Sequence, residues 1–269
     1  MLKSARAFSR NTVNSLLSTR GAVAVRQTAK VDIIKFLEKL RPVDSGHSLI
    51  RLGGAGDGGY LIPNDLHEIS ACFSPGVSET SSFERDCAER GMALYLADYS
   101  VDHVGPELDG YPYQFTKRFI GPDPSPEFIS FSQWIQSSNA PEGDWMLQMD
   151  IEGGEYSVLI EASLDDLKRF RVICVEFHQL TALWNEAFFA FVKVAFDRLL
   201  VNHVCVHVHP NNAGSLKKHN GIELPDLLEM TFLRRDRLPA TASWASLPHP
   251  LDAPNLPLQK DIAIRTLWD

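Results

Sequence analysis

The sequence predicts an α/β sandwich built on a largely parallel sheet, and three observations predict it. Short apolar runs rich in branched and aromatic residues alternate with helical stretches along most of the chain. Turn residues such as Ser74-Pro75-Gly76 and Gly91 punctuate the joins. Polar residues gather just after the apolar runs: Ser74, Gly76 and Ser78, then Asp98, then Asp150, Glu152 and Glu155, then Glu176 and His178, then His207 and His209. Strand interiors are apolar for packing reasons, but their ends need not be acidic. In open α/β sheets that edge is where ligands bind.

Taken in order, residues 1–30 form a basic extension with six Lys or Arg and no acid. Such a leader fits a frayed extension, an organelle transit segment, or a surface helix docking on an anionic membrane. Residues 31–40 place Ile33, Phe36, Leu37 and Leu40 on one helical face, and Pro42 stops the helix. The glycine-rich stretch 51–60 follows, with Asp57-Gly58-Gly59-Tyr60 read either as a plain hairpin turn or as a turn holding Asp57 or Tyr60 over a pocket. Strands are then expected at 69–73, 93–97, 113–120, 145–149, 172–177, 204–208 and 229–233. Helices are expected at 81–90, 130–138, 155–170 and 185–201, the last with Phe188, Val192, Ala195 and Leu199 on one face. The domain reading is an extension over 1–30, a single domain over 31–240, and a Pro-rich tail over 241–269 packed on it.

Composition narrows the function classes. The 269 residues carry a net charge of -8, which gives no support to a nucleic-acid binder. No run of about 18 apolar residues offers a membrane span. The four cysteines form no Cys-x-x-Cys pair, and three lie in strand-like runs. Buried reduced thiols and the lack of a secretory signal point to the cytoplasm, with organelle targeting through residues 1–30 as the alternative. The clusters Lys217-Lys218-His219 and Arg234-Arg235-Asp236-Arg237 read as solvated faces, or as attractors of an anionic acceptor such as a sugar phosphate.

Three elements carry chemistry. The turn from Ser74 to Ser81 is a small-residue link between strand and helix, where backbone amides can approach a ligand; its Ser and Thr residues can equally cap the helix. Asp98 closes the next strand 22 residues after Gly76, the place where an acid accepts hydrogen bonds from ribose hydroxyls; a solvated loop aspartate is the plainer reading. The run Asp150-Ile-Glu152-Gly-Gly-Glu155 puts three carboxylates within six residues at a strand-to-helix turn. Such crowding raises a pKa or recruits a cation. Glu176 with His178, and His207 with His209, alternate so that each pair points one way. With Asp150, Glu176, His178, His207 and His209 they could build a mixed oxygen and nitrogen metal site. Neutral His178 could instead act as a general base.

Asp150-Ile-Glu-Gly-Gly-Glu-Tyr-Ser-Val-Leu159 resembles the Asp-x-Glu-Gly-x-Glu-x-x-x-Leu signature of FkbM-type, S-adenosylmethionine-dependent methyltransferases. Asp57-Gly-Gly-Tyr60, Ser74-Pro-Gly-Val-Ser78, Ala97-Asp98-Tyr99 and Val175-Glu176-Phe-His178 agree with it, over residues 48–235. The resemblance implies the class I (Rossmann-like) methyltransferase fold, with seven strands and the last antiparallel. It implies S-adenosyl-L-methionine as cofactor, with Ser74, Gly76 and Ser78 along its methionine part, Asp98 on its ribose, Asp150 beside both cofactor and reaction centre, and Asp150, Glu152 and His178 as catalytic residues. The adenine would fall near Ile120 and Gly121. The usual acid and Gly-x-Gly-x-Gly of the first loop are replaced by Ser74 and Ser78, which leaves the amino-acid end of the cofactor without its expected partner. The expected reaction is O-methylation of a sugar, glycan or other small hydroxyl acceptor, with a divalent metal as a second cofactor if the histidine pairs are ligands. A metal-dependent hydrolase or sugar-modifying enzyme, and a catalytically degenerate binding protein with a sealed or empty pocket, are the alternatives.

Overall fold

The computed structural model describes residues 24–263 and 267–268, so most of the basic leader lies outside the described residues. In chain order the elements are α1 (Lys30–Lys39), β1 (Leu49–Leu52), β2 (Tyr60–Pro63), β3 (Ile69–Pro75), α2 (Ser82–Ala88), β4 (Ala93–Ala97), β5 (Tyr113–Thr116), β6 (Phe119–Ile120), β7 (Phe128–Ile129), α3 (Phe131–Ser137), β8 (Asp144–Met149), α4 (Glu155–Glu161), α5 (Leu164–Arg169), β9 (Phe170–Phe177), α6 (Glu186–Asn202), β10 (His203–Pro210), β11 (Leu216–His219), β12 (Ile222–Pro225) and β13 (Leu228–Arg234).

Seven of these strands form one sheet in the order β10-β13-β9-β8-β3-β4-β5. The pairs β3 with β4, β4 with β5, β3 with β8 and β8 with β9 are parallel. Only β13 runs the other way in this sheet, antiparallel to both β9 and β10. This is the expected α/β sandwich, with a seven-stranded, mostly parallel sheet and one antiparallel strand. From β3 the chain winds outward through β4 and β5, then returns to build β8 and β9 on the other side. The switch point therefore lies between β3 and β8, and their carboxyl ends present Ser74–Gly76 and Gln148–Asp150 side by side.

Both faces of the sheet are buried, because successive strand residues point to opposite sides. Phe73, Trp145 and Ile173 enter one core with Phe131, Trp134, Tyr156 and Phe196 from the helices. Their neighbours Cys72, Met146 and Cys174 enter the other, against Phe83 and Cys87 of α2 and Leu52, Tyr60 and Ile62 of the β1–β2 hairpin. All four cysteines are buried and free. Among the described residues no helix is long and apolar enough to cross a membrane.

Four sequence expectations are corrected. The single helix expected over 155–170 breaks at Ala162, whose ψ of 135° ends α4; the Ser163 hydroxyl accepts from Asp166 N–H and starts α5. Phe170 belongs to β9, where it packs against Phe73 and Phe131. The third strand stops at Thr116, and 119–120 turns away to pair with β7. The hairpin β11–β12, exposed along β11 and buried along β12, is absent from the sequence expectation, because Lys217, Lys218 and His219 carry no apolar alternation. On α6, Phe189 and Phe196 are buried beside Val192, Ala195 and Leu199, while Phe188 is only half-buried. Asn185 caps that helix by accepting from Ala187 N–H and Phe188 N–H.

Two measurements test this packing. Gly76 has φ +89°, and a Cβ there would sit 1.5 Å from the Asp150 carbonyl oxygen. Gly76→Ala is expected to cost at least about 2 kcal/mol in a urea titration. His203 is fully buried at the start of β10, its Nε2 2.7 Å from the Phe170 carbonyl; burial pushes its pKa down to about 4. The unfolded chain then binds the extra proton, so this contribution is whole above pH ~6.5 and is lost as the pH falls towards 4, about 3 kcal/mol in all. The slope of stability between those pH values should be shallower in His203→Gln; equal slopes would remove His203 as the cause.

Candidate functional site

A cavity of about 650 Å³ opens at the carboxyl ends of β3, β4 and β8, over the switch point. Gly76 and Ser78 line it from the first turn. The turn is tight because nothing larger than glycine fits between its backbone and that of Asp150. Ser74 is placed differently from the expectation. It points beneath the floor, is fully buried, and does not line the cavity. Its hydroxyl oxygen lies 2.5 Å from both Glu84 Oε1 and Gln148 Oε1. A hydroxyl has one proton to donate. One of the two contacts is therefore completed either by a neutral Glu84 carboxyl donating to Ser74, or by Gln148 presenting its amide nitrogen instead. Burial pushes the Glu84 carboxyl up, in favour of the neutral form.

Glu84 is the residue that sequence reasoning missed. It is the third residue of α2, buried, and lines the cavity beside Gly76. The spacing Ser81-x-x-Glu84 suggests a capping box. The structure shows why that reading fails: the Ser81 hydroxyl accepts from Gly105 N–H, and α2 has no side-chain cap. The glutamate is thereby free to face the cavity.

Asp98 ends β4, is buried, and lines the cavity wall. Its Oδ1 accepts from Ser100 N–H and Ser100 Oγ–H, each at 2.6 Å. Among the described residues Oδ2 has no hydrogen-bond partner, so a charged acceptor remains for a ligand. Beyond it, the short β6–β7 pair brings Phe119, Ile120, Gly121 and Phe128 to the far end of the cavity. The two phenyl rings stand 5.3 Å apart, and a Cβ on Gly121 would strike Phe128 at 2.7 Å. The rings pack on each other, and with Ile120 and Gly121 they give this end of the cavity an apolar wall.

The opposite end is acidic. Asp57, Asp150 and Glu152 line it, with His178 directly behind. His178 Nε2 lies 3.4 Å from Glu152 Oε2 and 3.8 Å from Asp150 Oδ1. Its Nδ1 is 3.1 Å from Glu155 Oε1, but off the line of a hydrogen bond, so it has no bonded partner. Glu155 itself is fully buried and structural: Oε1 accepts from Ile151 N–H and Gly153 N–H. Those bonds hold the turn in which Glu152 takes φ +55° and Gly153 φ +100°. Glu152 is far more exposed than its neighbours, its side chain 89% accessible. Burial, then the nearby Glu152 and Glu155, push the Asp150 carboxyl up to about 7 against the pull of His178. Burial alone would lower His178, but Glu155, Asp150 and Glu176 raise it to about 9.

The expected metal set is divided by the sheet order. Glu176 receives the amide of Asn211 at 3.1 and 3.2 Å, and burial carries it up to about 8. His207 meets Asp252 at 2.9 Å, and His209 sits between Glu229 and Asp261. The cause is topological. β13 inserts between β9 and β10, so the His207–His209 pair stands two strand spacings, roughly 10 Å, from β9. Asp150, Glu152 and His178 do come together, their donor atoms within 4.8 Å of one another.

The β1–β2 hairpin reading and the pocket reading of Asp57 and Tyr60 both hold: the strands pair, and their loop delivers Asp57 and Tyr60 to the cavity. Asn211 and Asn255 each direct an amide toward Asp57 Oδ1 at 3.4 Å. Among the described residues five carboxylates line the cavity, and no lysine or arginine does. The basic cluster expected to draw an anionic acceptor is engaged elsewhere, since Arg234 binds Asp144 and Asp236 at the amino end of β8.

No family model and no curated protein matches the chain. Among solved structures it is similar to magnesium protoporphyrin IX methyltransferase from Synechocystis PCC 6803 with bound SAM, at 13% identity over 62% of this chain and 71% of that one, TM-score 0.30. It is also similar to the Methanococcus jannaschii fibrillarin pre-rRNA processing protein, at 11% identity over 70% and 82%, TM-score 0.35. Likenesses this distant assign no residue and no activity.

The role given to Glu155 is open to a direct check. Glu155→Ala leaves two backbone N–H groups of the turn unpaired and is expected to cost about 2–3 kcal/mol. Glu155→Gln keeps an acceptor and should lose less than half of that in the same denaturant titration.

Proposed function

We propose that the chain is an S-adenosylmethionine-dependent methyltransferase acting on a hydroxyl oxygen. The observation that carries this reading is the order of groups along one cavity. A carboxyl at Glu84 stands beside the Gly76 turn, a free carboxylate oxygen at Asp98 follows, and the apolar wall of Phe119, Ile120 and Phe128 closes the row. An elongated ligand with an ammonium group, a ribose diol and a purine meets a partner at each station. Glu84 supplies the amino-acid contact that the serine-containing first loop lacks. The absence of lysine and arginine from the lining suits a sulfonium, which carries a positive charge until it reacts.

The sulfonium is already activated, so the protein contributes chiefly in-line placement of acceptor and methyl group. An oxygen lone pair forms the new O–CH3 bond. The C–S bond breaks, and its electron pair stays on sulfur as a neutral thioether. The hydroxyl proton passes to a carboxylate at that end, Asp150 or Glu152; His178, raised to about 9, already holds its proton and does not fit the neutral-base role expected from the sequence. A sugar or glycan hydroxyl fits a mouth lined by hydrogen-bond acceptors, whereas a phosphorylated acceptor would be repelled by Asp57, Asp150 and Glu152.

Calorimetric titration with S-adenosylhomocysteine tests the reading, with one molecule bound per chain as the expected result. Asp98→Ala should weaken binding about 30- to 1,000-fold, as the loss of charged hydrogen bonds to two ribose hydroxyls, roughly 2–4 kcal/mol. Glu84→Gln should weaken it less, since the amide still accepts a hydrogen bond. A folded protein that binds no S-adenosylhomocysteine would remove the proposal, and unchanged affinity in folded Asp98→Ala would remove the ribose assignment.

A further inference from the structure

We infer that Asp150, Glu152 and His178 form a binding site for a divalent cation at the acidic end of the cavity. Their donor atoms fit one coordination sphere. His178 Nε2 is 3.4 Å from Glu152 Oε2 and 3.8 Å from Asp150 Oδ1, and all three donors lie within 4.8 Å. Around an ion with bonds of about 2.1–2.3 Å, adjacent donors stand roughly 3 Å apart and opposite ones about 4.5 Å. Small side-chain rotations bring the three onto one centre.

A second observation is independent of the carboxylates. His178 is 8% exposed, its Nδ1 is buried without a hydrogen bond, and among the described residues its Nε2 has only the carboxylates of Asp150 and Glu152 nearby. Buried polar groups are nearly always paired. Its Nδ1 rests against Glu155, a carboxylate pinned by two backbone N–H groups, and its Nε2 is aimed at Asp150 and Glu152. A histidine backed by a carboxylate on one nitrogen and open on the other has the arrangement of a metal ligand. Asp150 Oδ1 is likewise buried without a hydrogen-bond partner. Among the described residues no lysine or arginine lines the cavity to neutralise this end.

The donor set defines the class of ion. Two carboxylate oxygens and one imidazole nitrogen suit Mn²⁺, Fe²⁺ or Zn²⁺ better than Ca²⁺ or Mg²⁺, which favour oxygen-only shells. Three protein ligands leave positions facing the cavity. On the methyltransferase reading, on which this use of the ion rests, a hydroxyl of the acceptor would occupy one of them and become more acidic.

The test uses the full chain, stripped with a chelator and dialysed. Mn²⁺ is titrated in while the electron paramagnetic resonance signal of the free ion is followed, and S-adenosylhomocysteine binding is measured on the same sample. One Mn²⁺ per chain is expected, weakened at least tenfold in His178→Gln and in Glu152→Gln. The exposed Glu152 side chain makes the latter variant safe for folding. A chain that binds S-adenosylhomocysteine but no stoichiometric Mn²⁺ overturns the cation site and leaves the methyltransferase reading intact. Mn²⁺ binding without S-adenosylhomocysteine binding supports the site and removes the cofactor reading. Mn²⁺ binding of full strength in both variants overturns the ligand assignment.

Discussion

The backbone of Gly76 lies against the carbonyl of Asp150, and this close approach sets the rest of the site. A Cβ at Gly76 would overlap the Asp150 oxygen at 1.5 Å, and Asp150 N–H in turn bonds the Pro75 carbonyl. Two loops from adjacent parallel strands are thereby locked together where the winding direction reverses. One brings the small-residue turn of the cavity, the other brings Asp150 and Glu152. Neither could shift along its strand without breaking the contact. The sheet does not merely carry the two loops; their backbones are keyed to each other.

Charge is distributed over the sheet in a way that keeps the two edges distinct. At the amino end of β8, Asp144 binds both Arg171 and Arg234, at 2.7 and 2.6 Å. Asp65 binds Arg237 at 2.7 Å beside them. There, arginines hold the Asp65 and Asp144 carboxyls below the usual carboxylate range against the opposing effect of burial. At the carboxyl end no such partners exist among the cavity-lining residues, and burial drives Asp150 and Glu176 upward instead. The paired edge is built for stability. The unpaired edge carries acids that a ligand must satisfy.

Much of this was legible in the sequence, for identifiable reasons. Strand positions such as Ala93–Ala97 follow from an apolar run between Gly91 and Asp98, and the crowding of polar residues after each run marked the correct edge. Gly76, Ser78, Asp98, Asp150 and Glu152 all line one cavity because local sequence places them at strand ends. What escaped depends on long-range order. The separation of His207 and His209 from His178 follows from β13 inserting between their strands, and a linear pattern does not contain strand order. Glu84 escaped because its direction depends on Ser81 bonding Gly105 rather than capping its own helix. Ser74 escaped because a serine in a small-residue turn can face the ligand or the floor. Here the buried side chains of Glu84 and Gln148 draw it to the floor.

The segment 249–261 bears on how the molecule could be altered. Asp252 meets His207, Asn255 joins Glu229 and Asp57, and Asn212 holds the carbonyls of Leu256 and Gln259. Asp57 is part of the acidic wall, so a stretch with little regular structure of its own reaches the site through one amide. On the methyltransferase proposal, changing residues 249–261 would reshape the cavity wall at Asp57 without touching a single strand of the sheet. Acceptor choice could then drift while the end of the cavity at Gly76 and Asp98 stays fixed.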